Sequence, residues 1–294
     1  MKKTVRNGCK INWFLKVTGK RPDGYHDIET LFQYLEYPSD TVSIDFDSVP
    51  GIRVSCDRAD IPCDLANLAG KAAEAYADAA DIVPHWEIFI EKGIPSAAGL
   101  GGGSSDAGTV LRMLEEQYRC LGSEKLAGIA AGIGADVPFF LDPGLVKASG
   151  IGEKRIRYPE PEELPPLLIV FPGFPVSAKW AYCNLDKQRI SPASPEAVEE
   201  LYAALSEGDI PSLAGRMHND LEYALYEKFP LLEVIRKELC FCGALRVMVS
   251  GSGSSLIAVF DDKSARHSAA EEMRKLFESD PVSAVFETGG KCFK

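Results

Sequence analysis

Trp86-Glu87-Ile88-Phe89-Ile90-Glu91 runs directly into Pro95-Ser96-Ala97-Ala98-Gly99-Leu100-Gly101-Gly102-Gly103-Ser104-Ser105-Asp106-Ala107. In the first run Trp86, Ile88 and Ile90 alternate with other residues, the period of a strand with one buried face. Beyond the glycines, Ala107, Val110, Leu111 and Leu114 fall at i, i+3, i+4 and i+7, which predicts a helix from near Ser104 that buries this stripe. A strand, a glycine loop and a helix start therefore follow one another. Three consecutive glycines let the backbone approach a ligand closely, and the N–H groups of a helix start attract anions. A phosphate chain fits residues 95–105. No Gly-Lys-Ser/Thr follows it, and Asp106 stands where a Gly-x-Gly-x-x-Gly pattern needs its last glycine, so neither common nucleotide fingerprint is met.

Upstream of the loop, Leu65, Leu68, Ala69, Ala72, Ala73, Tyr76 and Ala80 repeat at helical spacing. Asn12 to Val17 and Thr41 to Phe46 read as antiparallel strands, with Arg21-Pro22-Asp23-Gly24 supplying turn chemistry between them. Lys10 and Asn12 lie two apart on a strand and share a face. Downstream, Ser123 is the expected N-cap of a helix ending at Gly132 or Gly134, and Asp136-Val137-Pro138 opens a further element. Tyr158 to Pro166 carries prolines that resist helix and central strand, so it is the expected linker between domains 1–157 and 158–294. Leu167 to Phe171 then reads as a buried strand, residues 195–240 as mostly helical, and Arg246 to Phe260 as strand, Gly-Ser loop and strand.

Composition narrows the function classes. A chain of 294 residues with 46% apolar content can bury a sizeable core, and its length suggests two domains. The formal charge of −11 argues against non-specific binding to nucleic acid or an anionic membrane. A phosphate ligand would need local backbone N–H groups, a few cations and a metal ion. The eight cysteines at 9, 56, 63, 120, 183, 240, 242 and 292 form no Cys-x-x-Cys pair and stand at no zinc spacing from a histidine; they read as reduced thiols of a cytoplasmic protein. Met1-Lys2-Lys3 precedes an apolar run too short for an export signal, and Leu164 to Ala178, with four prolines, is too short to span a bilayer.

In order along the chain, the loop at 95–105, Gly134-Ala135-Asp136-Val137-Pro138 and Ser250-Gly251-Ser252-Gly253-Ser254 resemble the three motifs of the galactose, homoserine, mevalonate and phosphomevalonate (GHMP) kinase superfamily. Lys10-Ile11-Asn12 together with Arg21-Pro22-Asp23-Gly24-Tyr25-His26 further resembles the kinases that phosphorylate a cytidine-diphosphate-linked methylerythritol in the non-mevalonate isoprenoid pathway. The likeness extends to His218-Asn219-Asp220-Leu221-Glu222 and spans nearly the whole chain.

The resemblance implies an α+β fold of two domains, the first like the second domain of ribosomal protein S5 and the second ferredoxin-like. It implies ATP and magnesium (Mg2+) as cofactors and a small cytidylated alcohol as substrate, handled by a monomer or homodimer without nucleic acid or membrane. Asp136 would be the base, Lys10 its electrostatic partner and Asn12 a substrate-positioning group. Tyr25 and His26 would face the cytosine, with Tyr182 or its competitor Trp180 completing an aromatic sandwich. Gly251 and Ser252 would close on substrate and phosphates from the second domain, across a cleft. No protein metal ligand set is assigned; magnesium could be held by Ser104, by Ser105, or by ATP and water alone. Relatives commonly carry Ala-Pro-Ala where this chain has Asn7-Gly8-Cys9, and proline or alanine with threonine in place of Ser254-Ser255. A superfamily member acting on homoserine, mevalonate or a sugar would keep the three motifs without a cytosine clamp, and an ATP sensor would bind nucleotide without chemistry.

Overall fold

The structure is a computed structural model that describes residues 1–48, 50–185, 194, 196–280 and 283–291. Its residues form two compact units, neither of them a continuous segment. The first comprises Met1–Cys9, Glu36–Ser96 and Gly101–Pro143; the second comprises Lys10–Leu35, Ala97–Leu100 and Gly144–Lys294. A single cut at 157/158 does not describe this grouping. The cause is the length of the first two strands, β1 (Lys2–Lys20) and β2 (His26–Asp45), each of which contributes one half to each unit. The turn between them closes with Gly24 N–H donating to Arg21 O at 3.1 Å and Arg21 N–H to Tyr25 O at 2.8 Å.

In the first unit, β3 (Gly51–Cys56), α1 (Leu68–Ala80) and β4 (His85–Glu91) form a β-α-β crossover with β3 and β4 parallel and adjacent. Thr41 to Asp45 of β2 pair antiparallel with β4. Asn67 caps α1 by accepting the Ala69 N–H at 2.9 Å. The loop then enters α2 (Gly102–Tyr118), which starts two residues earlier than the apolar stripe alone predicts. Its Ala107, Val110, Leu111 and Leu114 are fully buried against Ala69, Ala72, Ala73 and Tyr76 of α1 and the inward Trp86, Ile88 and Ile90 of β4. The helix α3 (Gly122–Ile133) has Leu121, not Ser123, at its N-cap. In place of a Ser123 cap, Glu115 reaches from α2 to accept the Leu121 and Gly122 N–H groups at 3.2 and 2.9 Å. Gly134 ends α3, and a short 3-10 helix, Val137–Leu141, follows Asp136.

In the second unit, Ile28 to Gln33 of β2 pair with β5 (Leu145–Gly150), which pairs with β6 (Lys154–Tyr158). Next come β7 (Glu163–Phe171), α4 (Ala178–Cys183), α5 (Ala197–Glu207), α6 (Ile210–Arg216), and β8 (His218–Asn219), a two-residue strand parallel to β1. The chain closes with α7 (Glu222–Lys228), α8 (Pro230–Phe241), β9 (Arg246–Val249), β10 (Leu256–Val259), α9 (Lys263–Leu276) and β11 (Ala284–Lys291). The antiparallel order β11-β7-β10-β9 joins two β-α-β arches into the ferredoxin-like pattern. Its core is Leu168, Val170, Val249, Leu256 and Ala258 of the strands under Leu232, Ile235, Leu239, Ala269 and Met273 of the helices.

The linker is shorter than the prolines suggested. Pro165 and Pro166 lie within β7, which is flanked by β11 and β10. They are tolerated because pairing with β10 begins only at Leu167, and the β11 register shifts between Thr288 and Gly290. A proline at a strand start beside a bulge forfeits no ladder donor. Among the described residues no helix is long and apolar enough to cross a membrane, and Cys9, Cys56, Cys63, Cys120, Cys183, Cys240 and Cys242 form no disulfide. Cys292 lies outside the described residues.

Candidate active site

On β1 the shared face of Lys10 and Asn12 is realised. The buried Lys10 Nζ donates to Asn12 Oδ1 at 2.7 Å and lies 5.2 Å from the centroid of the Phe32 ring. Asn12 Nδ2 donates to Thr30 Oγ1 at 2.8 Å, and that hydroxyl donates onward to Phe14 O at 2.6 Å. This chain fixes which end of the Asn12 amide faces the ammonium. Thr30 is fully buried and was not singled out from the sequence, where a threonine within a strand is ordinary.

Residues 97–100 belong to the second unit and present four successive carbonyls to it. Ala97 O accepts from Val176 N–H at 3.0 Å, Ala98 O from Ser255 N–H at 3.1 Å, Gly99 O from Ser250 Oγ at 3.2 Å and Leu100 O from Lys10 N–H at 2.9 Å. The Ser250 to Ser254 loop is thereby tied to this segment. A Cβ on Gly99 would lie 2.0 Å from Ser250 O, with φ at +78°. Gly99 thus makes room for the second glycine loop, which differs from the ligand-approach role suggested by composition. A Cβ on Gly251, at φ +55°, would lie 3.0 Å from Lys10 Nζ and 3.2 Å from Asn12 Oδ1, so this loop backbone lies against the Lys10–Asn12 pair. Ser252, next along, is half-buried. Gly99→Ala is expected to cost about 1–2 kcal/mol from its left-handed backbone alone, with the clash adding to it. Calorimetric melting checks this, and an unchanged Tm would contradict the packing described.

In the first unit, Pro95 and Ser96 lead from the strand, and Gly101, at φ +73°, is the N-cap of α2. The N–H groups of Gly102, Gly103 and Ser104 have no carbonyl four residues back within the helix, whereas Ser105 N–H already reaches Gly101 O at 2.8 Å. Gly102 is close-packed: a Cβ there would meet Ile94 Cγ2 at 3.0 Å. Behind the helix start lies a buried network that sequence reading missed. Asn7 Nδ2 donates to Ser105 Oγ and Asp106 Oδ1, both at 3.0 Å, and Ser105 Oγ donates to Gly8 O at 2.6 Å. The Asn7 side chain thereby braces the first turn of α2.

Lys92 Nζ donates to Asp106 Oδ2 at 2.8 Å and also contacts Asp40, which accepts the Gly93 and Ile94 N–H groups at 2.8 Å each. All three charged side chains are at most 4% exposed. Burial and the Asp106 charge push Asp40 up to about 7, while the two carboxylates hold Lys92 in its charged form. Asp136, half-buried, occupies the N-cap of the 3-10 helix without capping it through its side chain. That helix is held close to α2 because residue 108 is glycine; a Cβ there would lie 2.7 Å from Phe140 Cβ.

Tyr25 is 61% exposed at the β1–β2 turn. The adjacent His26 ring stacks on Tyr182 of α4, centroids 5.6 Å apart and planes 21° apart. Trp180 instead packs edge-on against Phe229, centroids 5.5 Å apart. Among the described residues no group of three or more His, Cys, Asp or Glu is arranged to hold a metal ion.

The family model for the GHMP kinases N terminal domain matches residues 67–144, and that for the GHMP kinases C terminal matches 197–279. The 4-diphosphocytidyl-2-C-methyl-D-erythritol kinase of Syntrophotalea carbinolica is 39% identical over 283 residues, covering 94% of this chain and 97% of its own. The chain belongs to that family of GHMP kinases. The kinase of the same description from Citrifermentans bemidjiense is 40% identical over 267 residues, covering 90% of this chain and 91% of its own. A crystal structure of 4-(cytidine 5'-diphospho)-2C-methyl-D-erythritol kinase matches with a TM-score of 0.82 at 30% identity, both chains covered in full. A homoserine kinase from Cytophaga hutchinsonii shares the fold, with a TM-score of 0.77 at 21% identity over 98% of this chain and 94% of its own. The chain is therefore an ATP-dependent kinase of GHMP architecture.

Proposed function

We propose that the chain transfers the γ-phosphoryl group of ATP to the 2-hydroxyl of 4-diphosphocytidyl-2-C-methyl-D-erythritol, a step of non-mevalonate isoprenoid precursor biosynthesis. The observation that carries the substrate choice is the stacked His26–Tyr182 pair beside the exposed Tyr25. A planar cytosine finds aromatic faces there and a ring nitrogen for hydrogen bonding. The engagement of Trp180 with Phe229 favours Tyr182 as the second aromatic.

In this reading Asp136 takes the proton of the acceptor hydroxyl as its oxygen forms a bond to the γ-phosphorus and the bond to the ADP oxygen breaks. Lys10 offsets the transferring charge, its ammonium oriented by Asn12. Residues 95–105 bind the ATP phosphates, with the first N–H groups of α2 directed at them. Gly251 and Ser252 act on substrate and phosphates through the loop lying against Lys10. Magnesium bound to ATP would supply charge neutralisation. Ser104 is the hydroxyl that fits it, since Ser105 is 1% exposed and already bonded to Asn7 and Gly8.

The clamp is tested by varying its rings against two substrates. Tyr25→Ala and His26→Ala are expected to raise KM for the cytidylated alcohol by about ten-fold or more, the scale of one lost stacking contact. ATP affinity should stay as in the wild type. Equal kinetics in variants and wild type would remove the cytosine assignment and favour an uncytidylated alcohol.

A further inference from the structure

Asn219 is 2% exposed and lies in β8, paired in register with Leu15 of β1. Its Nδ2 donates to Val249 O and to Gly251 O, both at 2.8 Å, and its Oδ1 accepts the Leu221 N–H at 3.0 Å. Both carbonyls can only accept and the Leu221 N–H can only donate, so the amide has one workable orientation. The two amide hydrogens bracket Ser250: one holds the last residue of β9, the other the first glycine of the loop.

The same two-residue strand is locked to β1 a second way. Asp220 N–H donates to Leu15 O at 3.0 Å, and Asp220 Oδ2 accepts the Val17 N–H at 2.7 Å. Lys10 and Asn12 stand on that same β1 strand. Asn219 thus relates the loop to the strand that carries the ammonium. Gly251, the residue it grips, is the one whose added Cβ would lie 3.0 Å from Lys10 Nζ.

We propose that Asn219 is a positioning residue for phosphoryl transfer, holding the Ser250 to Ser254 loop in register with Lys10. The inference rests on the role given to Lys10 above. A residue of this kind contributes to kcat by keeping groups in reactive geometry and contributes little to ground-state binding. Asn219→Asp keeps the size and the acceptor for Leu221 but turns an oxygen toward two carbonyl oxygens. Asn219→Ser shortens the side chain so that it no longer spans both.

The test measures kcat and KM for ATP and the cytidylated alcohol in both variants, and deuterium uptake across residues 249–255 without substrate. Expected are a fall in kcat of about ten-fold or more with KM changed less than about three-fold, and faster uptake confined to the loop at temperatures well below melting. A residue that only supported the fold would lower Tm while leaving kcat per folded molecule and loop uptake unchanged, and that result overturns the proposal. Exchange is read without substrate, so wild-type inactivity on the cytidylated alcohol would count against the substrate reading while loop uptake still judged Asn219. Should the aspartate variant not fold, the serine variant carries both readouts.

Discussion

Asp136→Asn is expected to lower kcat by about 10²- to 10⁴-fold, the usual range for a removed general base. ATP affinity and Tm should change little. Asp136 stands at an N-cap position without making a cap hydrogen bond through its side chain, so the substitution forfeits no helix cap. The 3-10 helix keeps its anchors in the buried Val137, Phe139 and Phe140. Rapid-quench single-turnover kinetics separate the chemical step from binding, and titration calorimetry gives the ATP affinity. A single-turnover rate within a few-fold of wild type would remove Asp136 from the chemistry.

Lys92→Met should produce the largest loss of stability. It removes the cation that contacts both Asp40 and Asp106 where all three side chains are almost wholly buried. Breaking one side of a buried ionic cluster costs about 3–5 kcal/mol, which in a chain of this size lowers Tm by about 10 °C. The direction with pH follows from Asp40. Its carboxyl is raised to about 7 in the fold against 3.8 in the unfolded chain, so the fold holds a proton that the unfolded chain has lost. The associated stability is full below the unfolded value and is lost as pH rises from there through about 7. In the variant the two carboxylates face each other without the ammonium, so its deficit should be greatest at pH 8 and shrink toward pH 5.5. Melting curves across this range decide the matter; a deficit independent of pH would mean that Lys92 acts through packing alone. Because Lys92 lies at the exit of β4 and Asp106 in the first turns of α2, weaker ATP binding should accompany the loss.

What the sequence disclosed depended on how local each signal was. The alternation of Trp86, Ile88 and Ile90 and the stripe Ala107, Val110, Leu111 and Leu114 were readable because a periodic face needs only its own residues. The full extent of β1 was not. Asn7, Lys10 and Asn12 interrupt its apolar pattern, and their burial is compensated by partners such as Ser105 and Thr30, 98 and 18 positions away. Pro165 and Pro166 misled for a related reason: the strand tolerates them through a register shift in β11, more than 120 residues downstream. Ser123 resembled a cap, yet Glu115 took that role from the preceding helix.

The glycines illustrate the same limit within the candidate site. Their clustering pointed to close backbone approach, and close approach is found, but at Gly99 the approaching group is the Ser250 carbonyl. Nothing in a single sequence says which partner requires the missing Cβ. The Lys10–Asn12 pair was legible from strand spacing, whereas Thr30, Asn219 and Lys92 were not, because a buried polar residue looks in sequence like an exposed one.

Incubation of the protein with ATP, magnesium and 4-diphosphocytidyl-2-C-methyl-D-erythritol, read by phosphorus NMR, tests the proposed phosphoryl transfer, with homoserine, mevalonate and galactose run in parallel. A new phosphomonoester resonance and stoichiometric ADP are expected with the cytidylated alcohol alone. Transfer to one of the other alcohols instead, or ATP binding without transfer to any of them, would contradict the proposed function.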